Sequence, residues 1–373
     1  MSLVEAGFEK VADAFRRTVP DDERGGAALS VWIEGKPVVD ICGGIADERS
    51  GRAFTSDTPV VTFSCTKGMA SILVAMLVER GALPGYDTPL AGIWPEFGAH
   101  GKDRITIGDA LAHRAGLSAP RRDLTMEEVL DSELMADALA VQEPLWTPGE
   151  HHQYHAVTHG AITGKLVVLA TGLPIRGCFD ALVADPLGAE AWIGLPDTEM
   201  SRVAPTITDT LEAGPPTADA EAIAWLERAG HLGCGITLEH FNEPRFQRAG
   251  LPGAGGIATA GGLARIYSAT VTPTSGVRLI DDGTVESLCA VRSSGPAFVT
   301  QPPPYQSWGA GVMRPSDWEP YLTPRSFGHD GAGGQVAFAD PDAKVGFAYL
   351  TNRMTNEGDR GQSVITALTE ALG

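Results

Sequence analysis

The chain has 373 residues, of which 43% are hydrophobic and 20% are charged, an ordinary balance for a folded globular protein. Its formal net charge of −19 argues against nucleic acids and acidic membrane surfaces as partners, because both attract basic patches. The length suffices for a large core and for two lobes.

The first residues predict an amphipathic helix rather than a signal peptide. Val4, Phe8, Val11 and Phe15 recur at the spacing of one helical face. The basic n-region and the apolar h-region of a secretory signal are both missing from this stretch. We therefore expect a cytoplasmic protein.

The next elements are a hairpin and a buried helix. Residues 27–33 and 38–42 predict two strands joined at Glu34-Gly35-Lys36, where glycine tolerates a positive φ. The run from Ser64 to Arg80 is apolar almost all the way round and ends before Gly81. It predicts a buried central helix that is too short to span a bilayer.

The remaining pattern predicts a sheet built from both ends of the chain. From about residue 86 to 264, helical segments alternate with loops that contain proline and glycine. Strand signals return at residues 307–312, 334–339 and 344–350. A last helix is predicted over residues 361–372. We therefore predict an α/β (α+β) fold, in which residues 1–85 and 265–373 form an antiparallel sheet flanked by helices and residues 86–264 form an inserted, mostly helical domain.

Ser64-Cys65-Thr66-Lys67 places a hydroxyl and an amine three residues apart at the head of the central helix. On a helix this spacing brings the two Cβ atoms within roughly 5 to 6 Å on one face. Lys67 can then deprotonate Ser64 and make it a nucleophile. Burial and the positive end of the helix dipole would both lower the pKa of Lys67, which is the direction that a general base needs.

The cysteines offer a weaker alternative to this serine. They are odd in number, scattered and without a CxxC pair: Cys42, Cys65, Cys178, Cys234 and Cys289. Neither a disulfide framework nor a zinc knuckle is indicated. Cys65 stands beside the serine and is a second candidate nucleophile, but a free cysteine more often packs as a small hydrophobe.

Tyr154 follows the Pro148-Gly149-Glu150 turn, which would aim its side chain into a cleft. A tyrosine hydroxyl is a good proton shuttle where nearby cations hold it partly ionised. The same stretch offers a metal alternative through His151, His152, His155 and His159. Zinc would require an HExxH pattern or a further ligand set, which the stretch lacks, so we predict no metal and no cofactor.

The glycine-rich segment 328–334 precedes a predicted strand. Glycines allow a backbone to approach a substrate closely, and a backbone N–H here would complete an oxyanion hole with that of Ser64. A phosphate loop is excluded, because GK[ST] and a following helix are both missing. The second glycine-rich stretch, residues 251–259, is interpreted as a loop that crosses between the lobes.

In this order and spacing, the motifs resemble the serine β-lactamase and penicillin-binding-protein superfamily, specifically its class C β-lactamase-like branch and the family VIII carboxylesterases. The resemblance covers nearly the whole chain and includes residues 105–107, 112–117 and 255–260. It implies a β-lactamase/transpeptidase-like fold, with Ser64 as the acylated nucleophile. It further implies Lys67 and Tyr154 as base and proton relay, and the N–H groups of Ser64 and Ala332 as the oxyanion hole.

Two departures from the family pattern bear on the substrate. The family's Tyr-x-Asn motif ends here in Ala156, which has no side-chain amide. The family's Lys-Thr-Gly is replaced by His329-Asp330-Gly331, so a fixed cation gives way to a group that is mostly neutral at pH 7. Both changes weaken recognition of anionic amides and leave the acyl-transfer residues intact. An uncharged ester is the predicted substrate.

We therefore expect a serine carboxylesterase that cleaves short-chain or aryl esters through an acyl-enzyme on Ser64. The alternatives are a β-lactamase or D-amino-acid peptidase of the same fold, and a non-catalytic binding protein, which would gain nothing from a buried Lys67. An α/β-hydrolase is disfavoured because the chain has no GxSxG motif. Candidate substrate-binding residues are His329, Gly331, Trp146 and Phe327, and Trp308 and Tyr305 are further aromatic candidates for an apolar cleft.

Overall fold

The computed structural model describes residues 2–20, 24–208, 220–299, 303–355 and 360–373. The strands in these ranges are β1 (Leu3–Val4), β2 (Gly26–Ile33), β3 (Lys36–Asp47), β4 (Arg52–Ala53), β5 (Val60–Phe63), β6 (Ala191–Trp192), β7 (Gly256–Ala258), β8 (Ser293–Ser294), β9 (Ser307–Trp308), β10 (Met313–Arg314), β11 (Phe327–Gly331), β12 (Gln335–Asp340) and β13 (Val345–Thr351).

The α-helices are α1 (Glu9–Thr18), α2 (Cys65–Glu79), α3 (Ile107–Leu111), α4 (Met126–Leu130), α5 (Ser132–Ala140), α6 (Thr158–Thr171), α7 (Ile175–Phe179), α8 (Asp185–Leu187), α9 (Ala220–His231), α10 (Pro244–Ala249), α11 (Ala260–Val271), α12 (Asp282–Cys289) and α13 (Arg360–Leu372). Short 3₁₀ segments lie at Leu90–Gly92, Pro95–Gly101, Met200–Arg202 and Leu238–Asn242, and a π-helical turn lies at Asp180–Ala184.

The main sheet joins the two ends of the chain. Its strand order is β1-β3-β2-β13-β12-β11-β10-β9-β8, with β4 paired to β3. Neighbouring strands are antiparallel, and the N-terminal strand β2 lies beside the C-terminal strand β13, with Val31 opposite Phe347. The prediction of one antiparallel sheet built from both termini and flanked by helices is confirmed.

Both faces of this sheet are covered by helices. Leu29 and Val31 on β2 pack in the core beneath α1 and α13, whereas Ala28 and Trp32 point to the core that contains α2 and α11. This alternation is the period of two that a strand imposes on its side chains. Since each face is buried, the central strands read as nearly continuous hydrophobic runs.

The central helix α2 is buried from Cys65 to Leu77. Within the described ranges, no single helix has both the length and the hydropathy of a membrane span. The pair Thr158–Thr171 and Ile175–Leu187 reaches both only together, with a bend of 72° between its halves.

A second, three-stranded sheet has the order β5-β7-β6. It shows that residues 251–259 are more than the predicted loop, since Gly256–Ala258 forms β7 and pairs with β5. Three residues are too few for a periodic signal, and the strand depends on a partner far away in sequence. Residues 86–264 therefore contain strands as well as helices, and the division into two domains stays a prediction.

Two further sequence predictions are wrong in detail. Val4 lies in strand β1 rather than on the first helix, which begins at Glu9. The predicted strand 307–312 ends at Trp308, because Gly311 adopts a φ of +84° and the chain turns back into β10.

Candidate active site

Ser64 stands at the junction between strand β5 and helix α2. The preceding residue, Phe63, has a φ of +44°, a left-handed conformation that is uncommon for a bulky side chain and costs about 1 to 3 kcal/mol. Packing holds Phe63 in place, since its ring is buried and meets the edge of Phe241 at a centroid distance of 5.3 Å. The turn leaves Ser64 partly exposed while the helix behind it is buried.

Thr66 fixes the first turn of α2. Its hydroxyl donates to the carbonyl oxygen of Phe63 at 2.5 Å and accepts from the N–H of Gly256 at 2.8 Å. The start of the helix is thereby tied both to the end of β5 and to β7. The position of Ser64 is therefore fixed by contacts among β5, α2 and β7.

Lys67 is fully buried and contacts three oxygen atoms. Its Nζ lies 3.2 Å from Ser64 Oγ, 2.7 Å from the carbonyl oxygen of Ala156 and 2.6 Å from that of Gly253. Burial lowers the pKa of Lys67 to about 7. A neutral amine has two N–H groups and one lone pair. With both N–H groups donated to the carbonyls, the lone pair faces the Ser64 hydroxyl and can accept its proton.

Tyr154 completes the contacts of the serine. Its hydroxyl donates to Ser64 Oγ at 2.7 Å, and its ring lies 4.7 Å from Lys67 Nζ. Burial raises the pKa of Tyr154, so its hydroxyl keeps its proton near neutral pH. The expectation that nearby cations hold this tyrosine partly ionised is therefore not supported. The assignment of Lys67 and Tyr154 as base and proton relay stays a prediction.

Ala332 follows β11 and lines the same two cavities as Ser64. Gly331 allows this approach, because a Cβ there would lie 2.5 Å from the carbonyl oxygen of Thr62 and 3.3 Å from Cys65 Sγ. Cys65 is fully buried, and burial raises the pKa of its thiol well above the usual value. The thiol is therefore a poor nucleophile. The pairing of the Ser64 and Ala332 N–H groups as an oxyanion hole stays a prediction.

Two cavities of about 530 Å³ each meet at Ser64, Tyr154 and Ala332. We call the first the acidic cleft; its further lining includes Trp308, Trp318, Glu319, His329, Asp330 and Gln335. We call the second the apolar cleft; its further lining includes Phe63, Val157, Ile236, Leu238, Phe241 and Ala254. A molecule bound at Ser64 can therefore extend in two chemically different directions.

Three buried histidines lie behind the tyrosine ring: His113, His155 and His159. His155 Nδ1 donates to the carbonyl oxygen of Gln153 at 2.6 Å, and His159 Nε2 donates to that of Leu111 at 3.1 Å. Burial lowers the pKa of all three, to about 4 for His155. In the described part of the chain, no group of three or more His, Cys, Asp or Glu side chains is arranged to hold a metal ion. The zinc alternative thus has no ligand set in these residues.

Residues 11–369 match a family model described as Beta-lactamase. The chain belongs to the beta-lactamase family. The resemblance inferred from the motifs, and the fold that it implies, are thereby confirmed.

Relatives of this beta-lactamase-family protein differ in their stated activities. It is 31% identical over 366 residues to a Mycobacterium tuberculosis protein named Esterase/beta-lactamase LipL, a match that covers 93% of this chain and 81% of the relative. A penicillin-binding protein homologue from Caulobacter crescentus has a TM-score of 0.90 and 34% identity over 100% of this chain and 99% of that one. A family VIII carboxylesterase has a TM-score of 0.89 and 31% identity over 100% and 99%.

The structure separates the predicted substrate-binding residues of this family member into two groups. His329 and Gly331 line the acidic cleft. Trp146 is instead buried, and its Nε1 donates to the carbonyl oxygen of His151 at 3.0 Å. Phe327 is fully buried in the core, with its ring facing Tyr267. Neither of these two side chains lines the clefts at Ser64, so both expectations are corrected.

The other two aromatic candidates lie nearer the serine. Trp308 lines the acidic cleft and stacks on Tyr154 at 5.4 Å with an angle of 17°. Tyr305 lines a smaller adjoining cavity that it shares with Trp308. The aromatic type alone could not distinguish these positions from the two core ones.

Sequence reasoning missed the supports around the reactive groups. His113, which has a φ of +66°, meets Tyr154 at a ring distance of 5.0 Å and Trp308 at 4.5 Å, and so helps to hold the tyrosine ring. Gly253 was read only as part of a crossing loop, although its carbonyl oxygen binds Lys67. A backbone carbonyl has no sequence signature, so no pattern could have identified it.

Proposed function

We propose that the protein is a serine carboxylesterase that cleaves short-chain or aryl carboxylic esters through a covalent acyl-enzyme on Ser64. The observation that carries the proposal is the contact set of Lys67, whose amine has a lowered pKa and lies 3.2 Å from Ser64 Oγ. In its neutral form, with both N–H groups donated to the carbonyls of Ala156 and Gly253, the amine keeps one electron pair for the Ser64 proton. A serine activated in this way attacks carbonyl carbon without a histidine.

The contacts support the following sequence of steps. Lys67 takes the hydroxyl proton as Ser64 Oγ attacks the ester carbonyl carbon, and the N–H groups of Ser64 and Ala332 receive the negative charge that develops on the carbonyl oxygen. When the bond to the alcohol breaks, Tyr154 gives its proton to the departing alkoxide and recovers one from the Lys67 ammonium. Water then attacks the acyl carbon of the acyl-enzyme and its proton passes to Lys67. As the bond to Ser64 Oγ breaks and the acid leaves, Lys67 returns this proton to Ser64 and is again neutral.

The residues around these groups favour a neutral ester carbonyl over an anionic amide. Ala156 presents a methyl group where the family motif has an amide. Burial lowers the pKa of His329 to about 3, so this side chain is neutral and offers no cation to a substrate carboxylate. Relatives named as an esterase and as a carboxylesterase support the same choice.

A β-lactamase is the second candidate, because the Mycobacterium tuberculosis relative is named for that activity as well as for an esterase. A D-amino-acid peptidase of the same fold is the other alternative. Each would need to bind an amide carbonyl at Ser64 without the cation that the family motif supplies. Both are therefore included as outcomes of the functional test.

The test measures p-nitrophenyl butyrate and nitrocefin hydrolysis by the wild type, Ser64→Ala and Cys65→Ala. We expect ester turnover that is lost in Ser64→Ala and kept in Cys65→Ala. A fluorophosphonate probe should label the wild type once, on the peptide that contains Ser64, as read by mass spectrometry. Ester turnover that survives in Ser64→Ala would sink the proposal. Nitrocefin turnover equal to ester turnover would favour the β-lactamase.

A further inference from the structure

The acidic cleft differs from the apolar cleft in the chemistry of its walls. Glu319 and Asp330 are half-buried carboxyl groups that line it beside Ser64. None of the described residues that line this cleft is a lysine or an arginine. Arg360, which precedes the lining residue Gly361, donates instead to the carbonyl oxygens of Gly333 and Arg353. In the described lining of the cavity, these carboxyl groups are therefore not accompanied by a basic side chain.

Two deeply buried side chains of the same cleft carry acceptor atoms without partners. His329 is 2% exposed; its Nδ1 donates to the carbonyl oxygen of Asp330 at 2.7 Å, so its Nε2 carries the lone pair. Gln335 is also 2% exposed, and its amide nitrogen donates to the carbonyl oxygen of Val61 at 2.8 Å. Within the described part of the chain, neither His329 Nε2 nor Gln335 Oε1 has a hydrogen-bond partner.

Unpaired buried acceptors are costly and call for a donor. Among the described residues, the hydroxyl of Tyr321 donates to Asp330 Oδ1 at 3.0 Å, and the Tyr321 N–H makes a long contact of 3.5 Å with Glu319 Oε1. Burial and the charge of Asp330 raise the pKa of Glu319, and burial raises that of Asp330. A positive charge in the cleft would relieve both effects.

An aromatic ring completes a surface suited to a cation. Trp318 lines the cleft and is 51% exposed, whereas Trp308 also lines it but is 1% exposed and stacks on Tyr154, so Trp318 offers the accessible ring. The face of an indole ring attracts an ammonium group. Carboxyl groups and one exposed indole ring thus line a single cavity next to the reactive hydroxyl, and the unpaired acceptor atoms are buried in residues of its wall.

We propose that the acidic cleft binds a positively charged amine, and that the preferred esters carry an ammonium group on the part of the substrate that enters this cleft. The inference rests on the proposed function, because it names the substrate class of the same site. It refines the uncharged ester expected from the sequence: the scissile group stays a neutral ester, and the cation lies beyond it.

The experiment compares esters that differ only by a charge. For the alcohol side, 2-(dimethylammonio)ethyl butyrate is paired with its carbon isostere 3-methylbutyl butyrate. For the acyl side, p-nitrophenyl 4-(dimethylammonio)butyrate is paired with p-nitrophenyl 5-methylhexanoate. The measured quantity is the ratio of kcat/KM within each pair at pH 7.5. We expect the cationic ester to be preferred by about tenfold or more in one pair, as for a partly buried charge-assisted contact.

Matched variants assign the effect to the cleft. Glu319→Gln should reduce this preference about tenfold, the effect of removing one charged partner. Asp317→Asn removes the same charge two residues away, at an exposed position outside the cleft lining, and should leave the ratio as it is. If both variants reduced the ratio equally, the preference would come from the net charge of −19 and the inference would be overturned.

The inference and the proposed function can fail separately. Hydrolysis of the neutral esters without a preference in either pair would leave the carboxylesterase standing and reject the cation site. A binding measurement covers the reverse case: N,N-dimethylethylammonium should quench the tryptophan fluorescence of Ser64→Ala, and Glu319→Gln in that background should weaken the quenching. Binding without any ester hydrolysis would keep the cation site and reject the carboxylesterase. No quenching together with no preference would reject the inference.

Discussion

The carbonyl oxygen of Gly253 accepts a 2.6 Å hydrogen bond from Lys67 Nζ, although the two residues are 186 positions apart. With the carbonyl of Ala156, it occupies both N–H groups of a neutral amine and leaves one electron pair for Ser64. The direction of the base is therefore set by backbone atoms. The lowered pKa, in turn, is set by the burial of Lys67.

The first prediction concerns pH. Because burial lowers the pKa of Lys67 to about 7, the neutral base form disappears as the pH falls through this value. We expect kcat/KM for p-nitrophenyl butyrate to rise with pH and to level off above about pH 8, with a midpoint near 7. The measurement is a pH–rate profile of the wild type between pH 5 and 9.

The titration of other groups in the cleft must be distinguished from that of Lys67 in the pH–rate profile. Burial raises the pKa of Glu319 and Asp330, so either could titrate in the same range. Glu319→Gln and Asp330→Asn should each keep a midpoint near 7 if Lys67 controls it. A midpoint that moves or vanishes in either variant would show that the carboxyl groups, rather than the lysine, control the rate.

The second prediction concerns Gly160 on helix α6. A Cβ at this position would lie 2.1 Å from the backbone nitrogen of Gly253, so Gly160→Ala must push the Gly253 segment away from Lys67. We expect a loss of about 1 to 3 kcal/mol in the free energy of unfolding, as for other overpacked sites. We also expect kcat to fall about tenfold at pH 7, the effect of losing one buried hydrogen bond.

Gly164→Ala is the control for this change. Gly164 lies one turn later on the same helix, and its added Cβ would meet side-chain atoms of Ser132 at 3.2 Å and Pro252 at 3.6 Å rather than backbone. Urea unfolding and steady-state kinetics should show a much smaller effect on both quantities. Equal losses of kcat in the two variants would mean that the Gly253 carbonyl is not needed.

The sequence was sufficient to predict contacts between reactive groups that lie close together along the chain. Ser64 and Lys67 lie on one helical turn, so their spacing alone predicted the contact that the structure shows. The strands of the main sheet were predictable because burial on both faces makes them hydrophobic throughout. Gly253 and His113 were not, since their contacts form only when distant segments pack together.

Aromatic and acidic residues show a second limit of what the sequence alone can predict. Trp146 and Phe327 fit a cleft and a core equally well by composition, and only packing places them in the core. Glu319 carried no signal, because a single carboxylate in a loop is ordinary. Its significance comes from Asp330 nearby and from the cavity that both residues line.

The third prediction concerns the hydroxyl of Tyr154. Tyr154→Phe removes the donor to Ser64 Oγ and the proposed proton donor to the departing alcohol. The ring remains held by Trp308 and His113. We therefore expect kcat to fall about 10²- to 10⁴-fold, the range for a general acid, while KM changes little.

Two controls accompany this variant. Its thermal unfolding midpoint should stay within a few degrees of the wild type, because the half-buried ring and its packing are kept. Its loss should be smaller for p-nitrophenyl esters than for alkyl esters, since a nitrophenolate departs without a proton. A fall in kcat that is equal for both leaving groups would contradict the proton-donor role.

The last prediction concerns Gly68 and Tyr267, which meet behind Lys67. The buried hydroxyl of Tyr267 has no hydrogen-bond partner in the described part of the chain. A Cβ at Gly68 would lie 2.0 Å from this oxygen and 3.2 Å from the ring carbon that bears it. Gly68→Ala alone should therefore cost about 1 to 3 kcal/mol of stability through overpacking. Tyr267→Phe alone should be neutral or stabilising by up to about 1 kcal/mol, because it removes an unpaired buried polar group.

The double variant Gly68→Ala/Tyr267→Phe tests whether the loss of stability comes from the conflict with the Tyr267 hydroxyl. With the hydroxyl gone, the alanine methyl meets only the ring carbon, a contact that a small shift of the ring relieves, and alanine favours the helix over glycine by about 1 kcal/mol. Stability should thus return close to that of Tyr267→Phe, giving a coupling free energy of about 1 to 3 kcal/mol in urea unfolding of the four proteins. Activity should follow, since Gly68 adjoins Lys67. Purely additive effects would mean that the steric conflict lies elsewhere along α2.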